Sequence, residues 1–249
     1  MIRVLLCGYY GHMGGEVRKL LQEGNGTMML AAGVDVCAAA DDQRCSCDIG
    51  QVTQPVDCIL DFSHHAGTHA LLEFARAHRC PVVIATTGHT AEELADIQAA
   101  AREIPVFLSA NMSFGVALLV ALAKRTAAAM PDAEIEIIEK HHDRKLDAPS
   151  GTAKMLVDAI EEVRPDAFAV MGRSGQSKRK PNEIGVHSLR MGNVVGEHEV
   201  IVATDTQIIT LKHEAHSRSL FAEGAIAAAD FIKDKGAGLY DMYSMIGAE

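Results

Sequence analysis

The chain has 249 residues, of which 48% are apolar, 22% charged and 4% aromatic, with no tryptophan. That apolar content excludes a disordered chain, because enough Val, Ile, Leu and Ala are present to offset the entropy of ordering the backbone. Lys and Arg number 23 against 33 Asp and Glu, and a net charge of −10 argues against a nucleic acid or a membrane surface as partner.

From the N-terminus, residues 2–7, 30–36, 58–62, 82–85 and 106–109 are short apolar runs, expected as buried parallel strands. Met13, Val17, Leu20 and Leu21 form one apolar stripe of a helix between the first two. Thr90 and Glu93 have the spacing of a capping box, opening a helix that carries Leu94, Ile97 and Ala101. Strands alternating with helices predict an α/β fold with a doubly wound parallel sheet. The second half changes character. Residues 133–140, 167–171, 186–191, 197–203 and 207–212 read as strands separated by turns, which predicts a mixed sheet in a second, α+β domain. Residues 172–182 are expected as a mobile basic loop, and 220–232 as an Ala-rich helix returning to the first domain.

All six cysteines lie in the first third of the chain, with no CxxC pair or histidine pattern to complete a metal site. No metal is expected, and the cysteines are expected as free thiols in the cytoplasm. No targeting segment is visible, and no apolar run reaches the roughly 18 residues that span a bilayer. His65 and His69, at i and i+4, lack an evident third ligand.

The first strand runs into Gly8-Tyr9-Tyr10-Gly11-His12-Met13-Gly14 and then a helix. Glycines at that point let the backbone approach a pyrophosphate whose charge sits on the helix N-terminus. The spacing is GxxGxxG, which is also compatible with a turn that binds nothing. Asp35 follows Gly14 by 21 residues, where an acid can accept hydrogen bonds from an adenosine ribose. It would repel a 2′-phosphate, and Val36 offers no cation, so NADH is favoured over NADPH; an ordinary strand-end acid is the competing reading of Asp35. Ala85-Thr86-Thr87-Gly88 and Ser109-Ala110-Asn111-Met112 end two later strands, where small polar residues can orient a carboxamide or simply form turns.

The densest chemistry lies between Glu139 and Ala153. His141, His142 and Lys145 concentrate proton donors at a strand end, and Pro149-Ser150-Gly151-Thr152 opens a helix whose free N–H groups can take an anion. Acid–base groups beside a carboxylate cradle point to a small polycarboxylate substrate. Taken singly, a histidine pair there reads better as a solvated strand end; the whole run favours a site.

This run, E-x-H-H-x-x-K-x-D-A-P-S-G-T-A, resembles the central signature of the 4-hydroxy-tetrahydrodipicolinate reductase family. The resemblance extends over nearly the whole chain. It includes V-x-x-x-G-x-x-G-x-M-G from Val4, T-T-G from Thr86, A-N-x-S-x-G-V from Ala110 and E-I-G-x-H-x-x-R from Glu183. G-E-H from Gly196, S-R-x-x-F-A-x-G-A from Ser217 and G-L-Y-D-M from Gly238 complete it.

The resemblance implies a Rossmann-like dinucleotide-binding domain over 1–112, a substrate-binding and oligomerisation domain over 113–218, and a return segment over 219–249. It implies a homotetramer that reduces a hydroxylated cyclic imine dicarboxylate of the diaminopimelate and lysine pathway with NADH or NADPH. His141 would be the acid/base and Lys145 the proton donor. His142, Gly151, Thr152 and Arg218 would hold the substrate carboxylate. Cofactor contacts would fall on Gly8 to Met13, Asp35, Ala85 to Thr87 and Ser109 to Met112. Departures from the family's usual residues are the bulky Tyr9 and Tyr10, the missing basic residue after Asp35, and Met112 where an aromatic is frequent. Two other readings fit parts of the pattern: a dehydrogenase of another amino-acid precursor, and a dinucleotide-sensing protein without turnover.

Overall fold

The computed structural model describes residues 1–24 and 26–247. The first elements in chain order are β1 (Ile2–Cys7), α1 (His12–Glu23), β2 (Met28–Val34), β3 (Cys45–Ser46) and β4 (Cys58–Asp61). Then come α2 (Thr68–His78), β5 (Val82–Ile84), α3 (Ala91–Ala100), β6 (Pro105–Leu108) and α4 (Phe114–Ala129). They are followed by β7 (Glu134–His141), α5 (Gly151–Glu161), β8 (Phe168–Met171), β9 (Glu183–Arg190), β10 (Gly196–Ala203) and β11 (Ile208–Ala215). The chain closes with α6 (Ser219–Ile232), β12 (Gly238–Tyr240) and α7 (Met242–Ile246). Two compact units result, Met1–Ser113 with Ser219–Glu249, and Phe114–Arg218.

The first unit is a parallel, Rossmann-like sheet of seven strands in the order β12-β6-β5-β4-β1-β2-β3. Apart from Arg3 and Asp61, its central strands β1 and β4 are apolar because helices cover both faces. Leu5, Leu6, Ile59, Leu60, Val83 and Ile84 have no exposed surface. The capping box forms as the spacing predicts: Thr90 Oγ1 accepts from the Glu93 N–H (3.2 Å), and the Glu93 carboxylate accepts from the Thr90 N–H (2.7 Å).

Helix α6 approaches the sheet closely through Ala222, Gly224, Ala225, Ala228 and Ala229, all buried. A Cβ at Gly224 would stand 1.7 Å from the Met112 carbonyl oxygen. The two edge strands, β3 and β12, have only two and three residues, too few for a periodicity. Strand β2 ends at Val34, so Asp35 lies just past it, although its N–H still bonds the Ser46 carbonyl (2.9 Å).

The second unit holds a mixed sheet ordered β11-β10-β7-β9-β8, in which β7, β9 and β8 run parallel and the other pairs antiparallel. Helices α4 and α5 pack on each other and on the sheet. Ile135, Ile137 and Glu139 of β7 are buried with His198, Val200 and Val202 of β10. Alternation sends Ile138, Lys140, Leu189, Ile201 and Ile208 to the opposite face. There Glu136 lies over Gly185, whose missing Cβ would sit 1.7 Å from Glu136 Oε2, and pairs with Arg179 and His187. Segment 172–182 is a loop without helix or strand, as expected, and within it Arg173 and Arg179 pair with Glu183 and Glu136.

Gly224→Ala is expected to cost about 1–3 kcal/mol, since the new methyl has backbone and not a flexible side chain in its way. The check is the urea midpoint, which should fall with an unchanged m-value. An unshifted midpoint would contradict the close seating of α6.

Candidate active site

In the first unit the strand order reverses between β1 and β4, where open parallel sheets gather their ligands. A cleft of about 680 Å³ lies there, lined by Gly8, Gly11, Asp35, Val36, Ser63 and His64 among others. Gly8 has φ +80°, and a Cβ there would stand 2.4 Å from the Phe62 carbonyl oxygen. A Cβ at Gly14 would stand 2.1 Å from the Gly8 carbonyl oxygen. Only glycine lets these strands of backbone touch. The N-cap of α1 is Gly11, which offers no side chain to the first N–H groups of the helix, so His12 and Met13 open a helix end suited to an anion.

Asp35 ties this turn to the next. Its Oδ2 accepts from the Tyr10 N–H (2.8 Å) and its Oδ1 from the Cys37 N–H (2.9 Å). Tyr10 is exposed and bonds the Asp42 carboxylate through its hydroxyl. The Tyr9 ring instead packs into the core over Gly33, with the Arg18 guanidinium 4.3 Å above it. Met112 is likewise a core side chain, 2% exposed and seated at Gly224. Both bulky residues therefore leave only their backbone at the positions where cofactor contacts were expected.

At the other strand ends, Ala85 is half-buried and Thr87 exposed, while Thr86 is buried and donates its hydroxyl to Asp61 Oδ2 (2.7 Å). Burial pushes the Asp61 carboxyl up, against the bonds from Ser63 and Thr86 that favour its charge. Ala110 is exposed, and the Ser109 hydroxyl donates to the Asn111 carbonyl (2.8 Å). Asn111 Oδ1 accepts the Ser113 N–H (2.9 Å). His65 and His69, side by side in sequence spacing, pair with different acids, Glu93 and Asp96.

In the second unit, β7 extends one residue further than expected and carries His141 in its last position. Period-two geometry puts Glu139 and His141 on one face. Glu139, with no exposed side-chain surface, accepts from His141 Nδ1 (2.6 Å), the Ser150 N–H (3.1 Å) and both terminal nitrogens of Arg190 (2.8 and 2.7 Å). Burial alone would raise its carboxyl, but bonds from Arg190, His141, Ser188 and Ser150 outweigh this and hold it at about 2. Burial lowers the His141 pKa, opposed by the Glu139 bond and reinforced by the Lys145 and Arg190 charges.

Ser150 caps α5, accepting from the Ala153 N–H (3.2 Å). Its Oγ is also 3.0 Å from Nε2 of the buried His198. Burial, then the neighbouring His141, holds His198 down at about 3, so its ring is neutral and shares one proton with the Ser150 hydroxyl. Gly151 is exposed with nothing within 4 Å of where its Cβ would be, and Thr152 is half-exposed beside it. Lys145 Nζ pairs with Asp147 Oδ1 (2.8 Å), and Arg218 lies 3.4 Å from His142 Nε2. His141, Lys145 and the α5 N-terminus thus share one neighbourhood, with His142 and Arg218 adjoining each other. Sequence reading gave no role to Glu139, Arg190, Ser150 or His198. The alternation of β7 held a signal for Glu139, whereas Arg190 reaches it from another strand.

The family models described as dihydrodipicolinate reductase, N-terminus and C-terminus, match residues 2–112 and 115–246. The 4-hydroxy-tetrahydrodipicolinate reductase of Caldanaerobacter subterraneus subsp. tengcongensis is 44% identical over 248 residues, 99% of this chain and 98% of that protein. The Clostridium tetani protein of the same name is 39% identical over 251 residues, covering 100% of this chain and 98% of that one. Among solved structures, a dipicolinate-bound dihydrodipicolinate reductase from Paenisporosarcina sp. TG-14 superposes with a TM-score of 0.83 at 26% identity, covering 99% of each chain. A DAP dehydrogenase from C. glutamicum, at 16% identity, 97% and 92% coverage and TM-score 0.57, shares the fold alone. Two family models that together take in nearly every residue, and relatives aligned from end to end, lead to one conclusion: the chain belongs to the dihydrodipicolinate reductase family.

Proposed function

We propose that this chain reduces 4-hydroxy-tetrahydrodipicolinate to tetrahydrodipicolinate in diaminopimelate and lysine biosynthesis, using His141 and Lys145 for proton transfer. The observation that carries this reading is the buried Glu139–His141 pair beside the exposed first turn of α5. The reaction adds one hydride and one proton, and the substrate hydroxyl leaves as water. When bound, a nicotinamide dinucleotide supplies the hydride.

The first unit is the dinucleotide-binding domain in this reading. The amides from Gly8 to Met13 take the pyrophosphate, and Asp35 takes the adenosine ribose. Residues Ala85 to Thr87 and Ser109 to Met112 take the nicotinamide end, with Thr86 acting through its backbone because its hydroxyl is committed to Asp61. The closeness of backbone at Gly8 and Gly14, with an α1 N-terminus that no side chain caps, fits the group.

The second unit binds substrate. His142, the Gly151 and Thr152 amides and Arg218 hold its carboxylates, His141 acts as acid/base through Nε2, and Lys145 Nζ donates a proton. NADH is the preferred donor: Asp35 and the nearby Asp42 set negative charge against a 2′-phosphate, while Arg18 is stacked on Tyr9. A dehydrogenase of another precursor would not require His141, His142, Lys145 and the S-G-T turn together. A cytoplasmic location fits the six unpaired cysteine thiols. A homotetramer would bury the sheet face bearing Leu189, Ile201 and Ile208, of which Ile208 is 67% exposed.

NADH absorbance should fall when the cyclic substrate is generated in situ, and binding without oxidation would favour the sensor reading. In that assay His141→Gln and Lys145→Ala are expected to lower kcat by about 10²- to 10⁴-fold with dinucleotide affinity retained. An unchanged rate would remove these roles. Fluorescence titration should give a Kd for NADH about tenfold or more below that for NADPH, a difference of roughly 1.4 kcal/mol. Asp35→Ser should narrow the gap, and an NADPH preference in the unaltered protein would overturn the Asp35 argument. Sedimentation velocity at micromolar concentration should show a tetramer; a monomer would refute the burial of that sheet face.

A further inference from the structure

His141 has two ring nitrogens, and they face different surroundings. Nδ1 is 2.6 Å from Glu139 Oε2. Nε2 faces Gly196, where a Cβ would come within 3.1 Å and glycine leaves the approach clear. Glu139 itself has no exposed surface, so it can act only through its neighbours. Besides the Ser188 side chain, those neighbours are three parts of the site. One is His141, the second is the Ser150 N–H at the α5 cap, and the third is Arg190. Arg190 also donates to the Asp147 carbonyl (2.7 Å), and the Asp147 carboxylate holds Lys145 Nζ (2.8 Å). A single carboxylate therefore touches the acid/base and the anion-binding turn, and reaches the loop of the second proton donor through Arg190.

We infer that Glu139 is the positioning residue of this reaction: as the anion it fixes His141 with the proton on Nδ1 and Nε2 free to exchange one with substrate, and through Arg190 it sets the loop of Lys145. This rests on the acid/base role proposed for His141. A carboxylate in this place selects the tautomer, because an acceptor-only group at Nδ1 requires that nitrogen to carry hydrogen. It also favours the imidazolium over the neutral ring. A carboxylate serving only to offset a half-buried arginine would be satisfied by the two Arg190 bonds and would have no need of the imidazole. The charged and titratable groups facing the pair are Arg190 from β9, His198 from β10 and Lys145 with Asp147 from the loop after β7, and His213 of β11 stands behind His198. Lys145, Arg190 and His198 do not supply an anion, and the Asp147 carboxylate is held by Lys145 Nζ, so Glu139 is the group that raises the proton affinity of His141.

Two measurements test this. In wild-type protein labelled with ¹⁵N-histidine, with the signal assigned by its loss in His141→Gln, the neutral His141 ring should be the Nδ1-protonated tautomer. An Nε2-protonated ring overturns the inference, and this readout does not depend on any variant of Glu139 folding. In Glu139→Gln, kcat should fall on the order of 10²-fold, by more than KM changes. The alkaline limb of the kcat–pH profile should move to lower pH, because the anion that favours the imidazolium has gone. A lower thermal midpoint with kcat and the pH limb unmoved would mark Glu139 as a brace only and overturn the inference. The two failures are distinguishable. An active His141→Gln defeats the catalytic reading whatever the tautomer, and the wrong tautomer defeats the positioning role whatever the activity of His141→Gln.

Discussion

An ionised carboxylate without exposed surface has to be met by donors on every side, because leaving it unpaired away from water costs several kcal/mol. The second unit is arranged around meeting that demand at Glu139. Strand β9 brings Arg190, β7 brings His141 two residues on, and the start of α5 brings the Ser150 amide. Once the Ser150 amide is turned inward, its hydroxyl is left to cap α5 and to meet His198. The neutrality of His198 follows from the same crowding, since burial and a neighbouring imidazole both oppose a second cation there. The open first turn of α5 and the exposed edge of His141 are what remains after these internal demands are satisfied.

The first unit solves its own problem with backbone. Its turn after β1 is held by Asp35, which accepts one amide from each of two loops, and by glycines whose missing Cβ atoms let main chain lie on main chain. The net charge of −10 looks unpromising for a protein that takes anionic partners. Residues 113–218 carry 14 basic against 15 acidic side chains, leaving 9 against 18 elsewhere. The acidity sits where amides and a helix terminus are the contacts on offer, and those do not depend on a basic surface.

Much of the fold was legible because its signals are local. Five apolar runs became β1, β2, β4, β5 and β6, and Thr90 with Glu93 formed the capping box their spacing announced. Edge strands β3 and β12 were not legible, since a two- or three-residue strand exists only through the neighbour it pairs with. The same boundary separates the residues of the site. His141 and Lys145 stand out as reactive groups in a short run, whereas Arg190 and His198 gain their importance from strand pairing, which brings them to Glu139 and Ser150 from some 50 positions away. Tyr9 and Met112 show the converse: local spacing put them at a turn expected to bind, and only the packing of Tyr9 over Gly33 and the burial of Met112 reveal that their side chains belong to the core.

The seating of α6 has a consequence for synthesis. The helix that covers β4, β5 and β6 follows the whole of the second unit in the chain. While a ribosome is adding residues 114–218, the first six strands are already made but lack that cover and lack β12 at their edge. An apolar sheet face waits, unfinished, through the making of more than a hundred residues, and contacts of such long sequence separation form slowly. That face is the surface which small alanine side chains will later close.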